Sequence, residues 1–133
     1  MQNLSNPRAR LRTAALLQKL AHGPEVLPAN RTLQMATIDG ARALGLGNEI
    51  GSLEAGKRAD VIVVYLDQVH SSPQANEVAS TLVYSAVASD VLTTIIDGQV
   101  VMRDGELLTL DEDAVIEEAN REAALLAQRA GLS

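Results

Sequence analysis

Residues 51, 56 and 57 are Gly, Gly and Lys, the spacing of a loop that wraps a phosphate with backbone N–H groups and a lysine ammonium. Two features speak against that chemistry. Arg58 stands where such a loop places the Ser or Thr that holds magnesium, and the β-branched run VIVV follows at once, where a phosphate loop opens a helix. A tight turn feeding a strand accounts for the same residues. Metal chemistry needs clustered ligands, yet the only two histidines, His22 and His70, lie far apart, at a helix end and in a loop, with no HxH or HExxH pattern. Near a helix end, His22 is suited to the last carbonyls rather than to a metal. Asp39, Asp97 and Asp104 each precede glycine, which assigns them to turns or caps. Asp111, Glu112, Asp113, Glu117 and Glu118 form an acidic run of the kind that suits a helix N-terminus. There is no G-x-S-x-G, and without cysteine there is neither a thiolate nucleophile nor a disulfide framework. The residues therefore supply no catalytic, cofactor-binding or metal-binding side chain.

The elements that would have to position any site are legible from punctuation. Asn6-Pro7 caps and opens a helix through RARLRTAALLQKLAH, stopped by Gly23-Pro24. A second helix follows Pro28 through ANRTLQMAT, and Asp39-Gly40 caps or kinks the path into ARALGL before Gly45 and Gly47 break it. From Glu49 the pattern turns extended: a turn at residues 54–57, then a strand over 61–64 expected to be buried on both faces. A short helix over EVASTLVYSA is capped by Asn76. VLTTII, Asp97-Gly98, QVVMR and Asp104-Gly105 read as hairpins, because Asp-Gly supplies the positive φ angles that two-residue turns require. Thr109 and Glu112 have capping-box spacing for a last helix. Its stripe of Ile116, Ala119, Ala123, Leu126, Ala127 and Ala130 is expected to dock, with Glu117 and Arg121 paired on the wet face.

The chain has 133 residues, enough for one domain, and with 47% hydrophobic residues but only 2% aromatic its core must be aliphatic. Helix packing is expected from Leu11, Leu17, Leu20, Leu33, Met35 and Leu44, and sheet packing from Val61, Val63, Ile95, Val100 and Leu107. A net charge of −6 with scattered Lys and Arg argues against nucleic acid, and no run of about eighteen apolar residues argues for a membrane span. The start MQNLSNPRAR lacks the pattern of a signal peptide, which with the absence of cysteine indicates a cytoplasmic protein.

The stretch MATIDGARALGLGNEIGSLEAGKRADVIVV resembles the C-terminal region of the amidohydrolase superfamily, in its aminohydrolase, deaminase and chlorohydrolase branch. The likeness continues through LVYSAVASDVLTTIIDGQVVMRDGELLTLDEDAV and back through LPANRTLQ to RTAALLQKL, so it covers nearly the whole chain. It implies an α+β fold: over residues 1–47, helices resembling the last helices of a TIM-like barrel; over 48–133, a small, mainly antiparallel sheet, part of a composite β-sandwich, with a terminal helix. Gly51, Gly56, Lys57 and Asp60 match the family turn that leads out of the barrel, an architectural role. Family enzymes hold zinc or iron through an HxH pair, two later histidines and an aspartate, and no residue of this sequence matches one of them. The resemblance thus implies the C-terminal fragment of a hydrolase acting on C–N or C–Cl bonds of ring compounds, with its metal only in a full-length parent and no competence alone. Alternatives are a non-catalytic interaction or oligomerisation module and an independent small enzyme with a new site. The expected partner is a second copy of the chain or the missing N-terminal barrel portion, because sandwich strands without their partners leave open edges.

Overall fold

A computed structural model describes residues 7–73 and 77–131. Helix α1 (Pro7–His22) ends where Gly23 takes φ +102°, and α2 (Ala29–Ala36) begins directly after Pro28. The break to α3 (Ile38–Ala43) comes at Thr37 rather than at Asp39-Gly40, which lie within α3. Thr37 takes over the end of α2: its hydroxyl donates to the Leu33 carbonyl at 2.8 Å and its N–H to that of Gln34 at 3.2 Å. Helical α4 (Val78–Ser80) widens without interruption into a π-turn over Thr81–Ser85. The two expected asparagine caps, Asn6 and Asn76, lie outside the described residues.

Strands β1 (Val61–Val64), β2 (Val91–Ile96), β3 (Gln99–Arg103) and β4 (Glu106–Leu107) form one antiparallel sheet in sequence order. Val61 pairs with Ile95 and Val63 with Thr93, and bulges interrupt the β1–β2 and β2–β3 registers. Both Asp-Gly turns form as the sequence demands: Asp97 and Asp104 have φ +51°, followed by Gly98 at +80° and Gly105 at +85°. The final helix, α5 (Glu112–Arg129), starts from an Asp111 cap whose carboxylate accepts the Ala114 N–H at 3.1 Å. The capping box expected at Thr109 and Glu112 is therefore displaced, since a carboxylate satisfies free N–H groups and also opposes the positive end of the helix dipole. Arg121 pairs with Glu118 and, at 3.7 Å, Glu122, rather than with Glu117.

The core is small and made of small residues. Ala15 of α1, Ala29 of α2, and Ala79 and Val83 of the α4 segment are buried against one another, with Leu27, Leu33 and Tyr84 packed around them. Buried Thr32 stays inside by donating its hydroxyl to the Pro28 carbonyl at 3.2 Å. Alanines at these positions let the helices approach closely, and most of the leucines expected in the core point elsewhere. Leu20 is 86% exposed and Leu44 75%, and Leu17 and Met35 are exposed as well. Leu11, Val61, Ile95, Val100 and Leu107 are half-buried. Ile62 and Val63 of β1 are exposed, so the strand is not covered on both faces among the described residues. Helix α5 buries none of its residues, and its apolar stripe is undocked. Among the described residues no helix is long and apolar enough to cross a membrane.

Candidate functional site

Two polar constellations stand out, and both fasten segments of the chain together. The first is the turn over residues 51–58. The Lys57 side chain is only 11% exposed, and its ammonium donates to the Gly47 carbonyl at 2.8 Å and the Ser52 hydroxyl at 2.6 Å, with Glu54 at 3.3 Å. A phosphate-binding lysine must present its charge to a ligand, whereas this one is aimed inward. Arg58 reaches Glu49 at 3.2 Å while its N–H donates to the Glu49 carbonyl at 2.8 Å. Asp60 accepts the Asp97 N–H at 2.7 Å, and the Gly98 N–H reaches the Ala59 carbonyl at 3.1 Å, so the turn is stitched to the β2–β3 hairpin. Asp39, the remaining Asp of an Asp-Gly pair, sits in the first turn of α3 and pairs with Arg31 and, at 3.4 Å, Arg42. An open cleft of about 650 Å³ lies over the turn, lined by Ile38, Arg42, Asn48, Glu54 and Lys57 among others.

Hydrogen bonds from Ser52 and then from Lys57 hold the Glu54 carboxyl below its ordinary pKa of 4.5. A carboxylate lowered in the folded state stabilises that state above the ordinary value, and the contribution disappears as pH falls through the lowered one. Separately from Glu54, Lys57→Met removes the bonds that the nearly buried ammonium donates to the Gly47 carbonyl and the Ser52 hydroxyl, and should cost about 1–3 kcal/mol at neutral pH. It should also flatten the acid limb of stability. Urea midpoints at pH 7 and pH 4 would measure both effects, and equal wild-type and variant midpoints at pH 7 would contradict this role for Lys57.

The second constellation was not legible in the sequence. His70, in a 3₁₀ turn (Val69–Ser71), places Nε2 2.9 and 3.1 Å from the two carboxylate oxygens of Asp90, which is 3% exposed. Asp90 also accepts the Val87 N–H at 2.8 Å, and its carbonyl accepts the Tyr65 N–H at 2.7 Å. A carboxylate-oriented imidazole is half of a nucleophile-activating arrangement, but the nucleophile must be reachable. The neighbouring Ser71 hydroxyl is buried, which leaves the pair as a clamp between the loop after β1 and the entry to β2. No local pattern joins residues 20 positions apart. His22 lies in the last turn of α1. Among the described residues no three His, Asp or Glu side chains come close enough to share a metal ion, so these residues do not fit one.

The sequence matches the amidohydrolase family model over residues 2–101. This chain belongs to the amidohydrolase family. Among similar amidohydrolases, the 5-methylthioadenosine/S-adenosylhomocysteine deaminase of Desulforudis audaxviator is 55% identical over 117 residues, covering 87% of this chain and 27% of that protein. The 5'-deoxyadenosine deaminase of Methanosarcina mazei is 49% identical over 120 residues, covering 90% of this chain and 27% of its own. An adenosine deaminase from Xanthomonas campestris with bound zinc superimposes with a TM-score of 0.84 at 36% identity, over 91% of this chain and 28% of that one. A zinc-complexed atrazine chlorohydrolase from Arthrobacter aurescens gives 0.76 at 26% identity, over 86% and 25%. The chain thus spans 27% of the length of these curated amidohydrolase relatives.

Proposed function

We infer that this chain is the C-terminal scaffold of an amidohydrolase-type deaminase and is not competent for catalysis alone. The observation that carries the reading is the conjunction of 27% coverage of deaminase relatives with a described structure in which no three potential ligands converge. Hydrolysis by metal-activated water needs at least three protein ligands, which an upstream barrel portion, the natural partner, supplies in this reading. Zinc in the structural neighbours supports zinc as the metal of the full enzyme, with iron the alternative that the family resemblance allows. The deaminase relatives favour a C–N bond of an adenine nucleoside as the substrate, and the chlorohydrolase neighbour keeps C–Cl bonds of ring compounds within the class. Residues 1–47 then complete the barrel side, and residues 48–133 contribute the sandwich sheet and terminal helix. The cysteine-free composition favours a cytoplasmic setting.

The test is a chimera. Joined behind the upstream portion of the Desulforudis deaminase, this chain should restore deamination of 5'-methylthioadenosine, while the chain alone should show none. Turnover by the isolated chain, or a folded chimera without turnover, would overturn the reading.

A second reading, an interaction module without catalysis, draws on one observation. Strand β1 lies at the sheet edge with Ile62 and Val63 exposed, and an open edge with apolar side chains recruits other strands.

A further inference from the structure

Asp-Gly pairs stand at residues 39–40, 97–98 and 104–105, and the fold treats the three differently. In this dipeptide the backbone can attack its own side chain, because the glycine nitrogen carries no crowding Cβ beside it and can close a five-membered succinimide on the preceding carboxyl carbon. Closure requires the Asp backbone to rotate out of its folded conformation until that nitrogen meets Cγ. The rate therefore follows how readily the segment opens.

Asp39 is restrained twice. It lies in the first turn of α3, and its carboxylate is pinned by Arg31 and, at 3.4 Å, by Arg42. Asp97 is exposed, but its N–H donates to the Asp60 carboxylate at 2.7 Å, and the Gly98 N–H, the attacking nitrogen, donates to the Ala59 carbonyl at 3.1 Å. That turn also joins the two longest strands, β2 and β3, in the middle of the sheet. Asp104 and Gly105 are both exposed, and the turn's tie is the Asp104 N–H, which donates to the Leu92 carbonyl at 2.6 Å. Among the described residues the Asp104 carboxylate has no cation at ion-pair distance, and the Gly105 N–H donates to no backbone carbonyl. The strand that follows, β4, is two residues long and sits at the sheet edge. It is held to β3 by the pairs Met102 with Leu107 and Arg103 with Glu106, and just beyond it by the Leu108 N–H on the Val101 carbonyl at 2.9 Å. A short edge strand opens at lower cost than the central hairpin.

We propose that Asp104-Gly105 is the site at which the folded chain converts aspartate to isoaspartate. The Gly105 nitrogen forms a bond to Cγ of Asp104 and gives up its proton, and the carboxyl hydroxyl leaves with a proton as water. Water then adds to the ring at one of its two carbonyls. Opening at Cγ restores aspartate. Opening at the main-chain carbonyl of Asp104 leaves the chain running through Cβ and Cγ, with a new α-carboxylate and no net change in mass. The extra backbone carbon does not fit a two-residue turn, so the modified β4 loses its register on β3. This chemistry is independent of the catalytic reading above.

The full chain is aged at neutral pH, once folded and once in concentrated urea. Each sample is then labelled with an isoaspartyl carboxyl methyltransferase and radioactive S-adenosylmethionine, which esterifies the isoaspartyl α-carboxylate, and the labelled peptides are separated and assigned by mass spectrometry. In the folded chain the peptide holding Asp104 should accumulate label about fivefold faster than that holding Asp97, and the one holding Asp39 should be slowest. In urea the three rates should converge, because the same dipeptide is then equally exposed at each place. Asp104→Glu keeps the charge but would have to close a six-membered ring, so it should remove most of the label from the folded chain while leaving circular dichroism unchanged. Folded chain labelled as fast at Asp97 as at Asp104 would overturn the proposal. So would a preference for Asp104 that persists unchanged in urea, which would make it a property of the local sequence, or label that survives Asp104→Glu.

Discussion

Gly51→Ala is expected to destabilise the chain by about 2–5 kcal/mol, whereas Gly56→Ala costs about 1–2 kcal/mol. Both glycines have φ +92°, so both substitutions carry the same left-handed backbone penalty. They differ in what surrounds them. A Cβ on Gly51 would lie 2.7 Å from the Cβ of Ala41, 2.9 Å from the Cα of Ile38 and 3.1 Å from the Thr37 carbonyl oxygen, while on Gly56 it would meet nothing within 4 Å. Two of the Gly51 neighbours are backbone atoms at the start of α3 and the third is buried Ala41, so none can swing aside as a long side chain would. The helix itself must shift, and with it the junction between the helical layer and the sheet. Urea denaturation of the two variants side by side isolates the packing part of the cost. Equal midpoints would show that α3 does not press on Gly51.

Asp90→Ala should cost about 2–4 kcal/mol, and Asp90→Asn clearly less. The alanine variant strips the Val87 N–H and the His70 ring of their acceptor, whereas asparagine keeps one carbonyl oxygen for Val87. His70 is 42% exposed, and water can replace part of what it loses, which holds the figure below that for a fully buried pair. For a domain of this size the alanine variant should melt about 10 °C below wild type. Equal melting of the alanine and asparagine variants would sink the clamp.

Much of the fold is written locally. Asp97-Gly98 and Asp104-Gly105 name their turns because few other pairs accept two consecutive positive φ angles, and Pro28 marks the start of α2 because the ring cannot sit deeper in a helix. What the sequence hid depends on distance or on close competition. Asp111 rather than Thr109 caps α5 because both are good caps two positions apart, and the carboxylate has the added pull of the dipole. Likewise Thr37, not Asp39-Gly40, breaks the helix, through a hydroxyl bond to its own preceding turn. Asp90 carries no local mark at all, because its partner is brought by the path of the chain from β1 to β2. The core obeys the same limit: hydrophobic pattern marks Leu20, Leu33 and Leu44 alike as apolar but does not say which neighbour each faces, and of the three it is Leu33 that packs against the cluster of Ala15, Ala29, Ala79 and Val83. At the opening turn, spacing alone permits a phosphate loop, and only the fold places the Lys57 ammonium against the Gly47 carbonyl and the Ser52 hydroxyl.

The proposed function rests on the finding that, among the described residues, no three His, Asp or Glu side chains converge on one point. Zinc titration of the chelator-treated chain, followed by metal analysis after gel filtration, reads that directly. The account predicts substoichiometric zinc that is lost on the column. One tightly retained zinc per chain, displaced by substitution of His70 or Asp90, would contradict it.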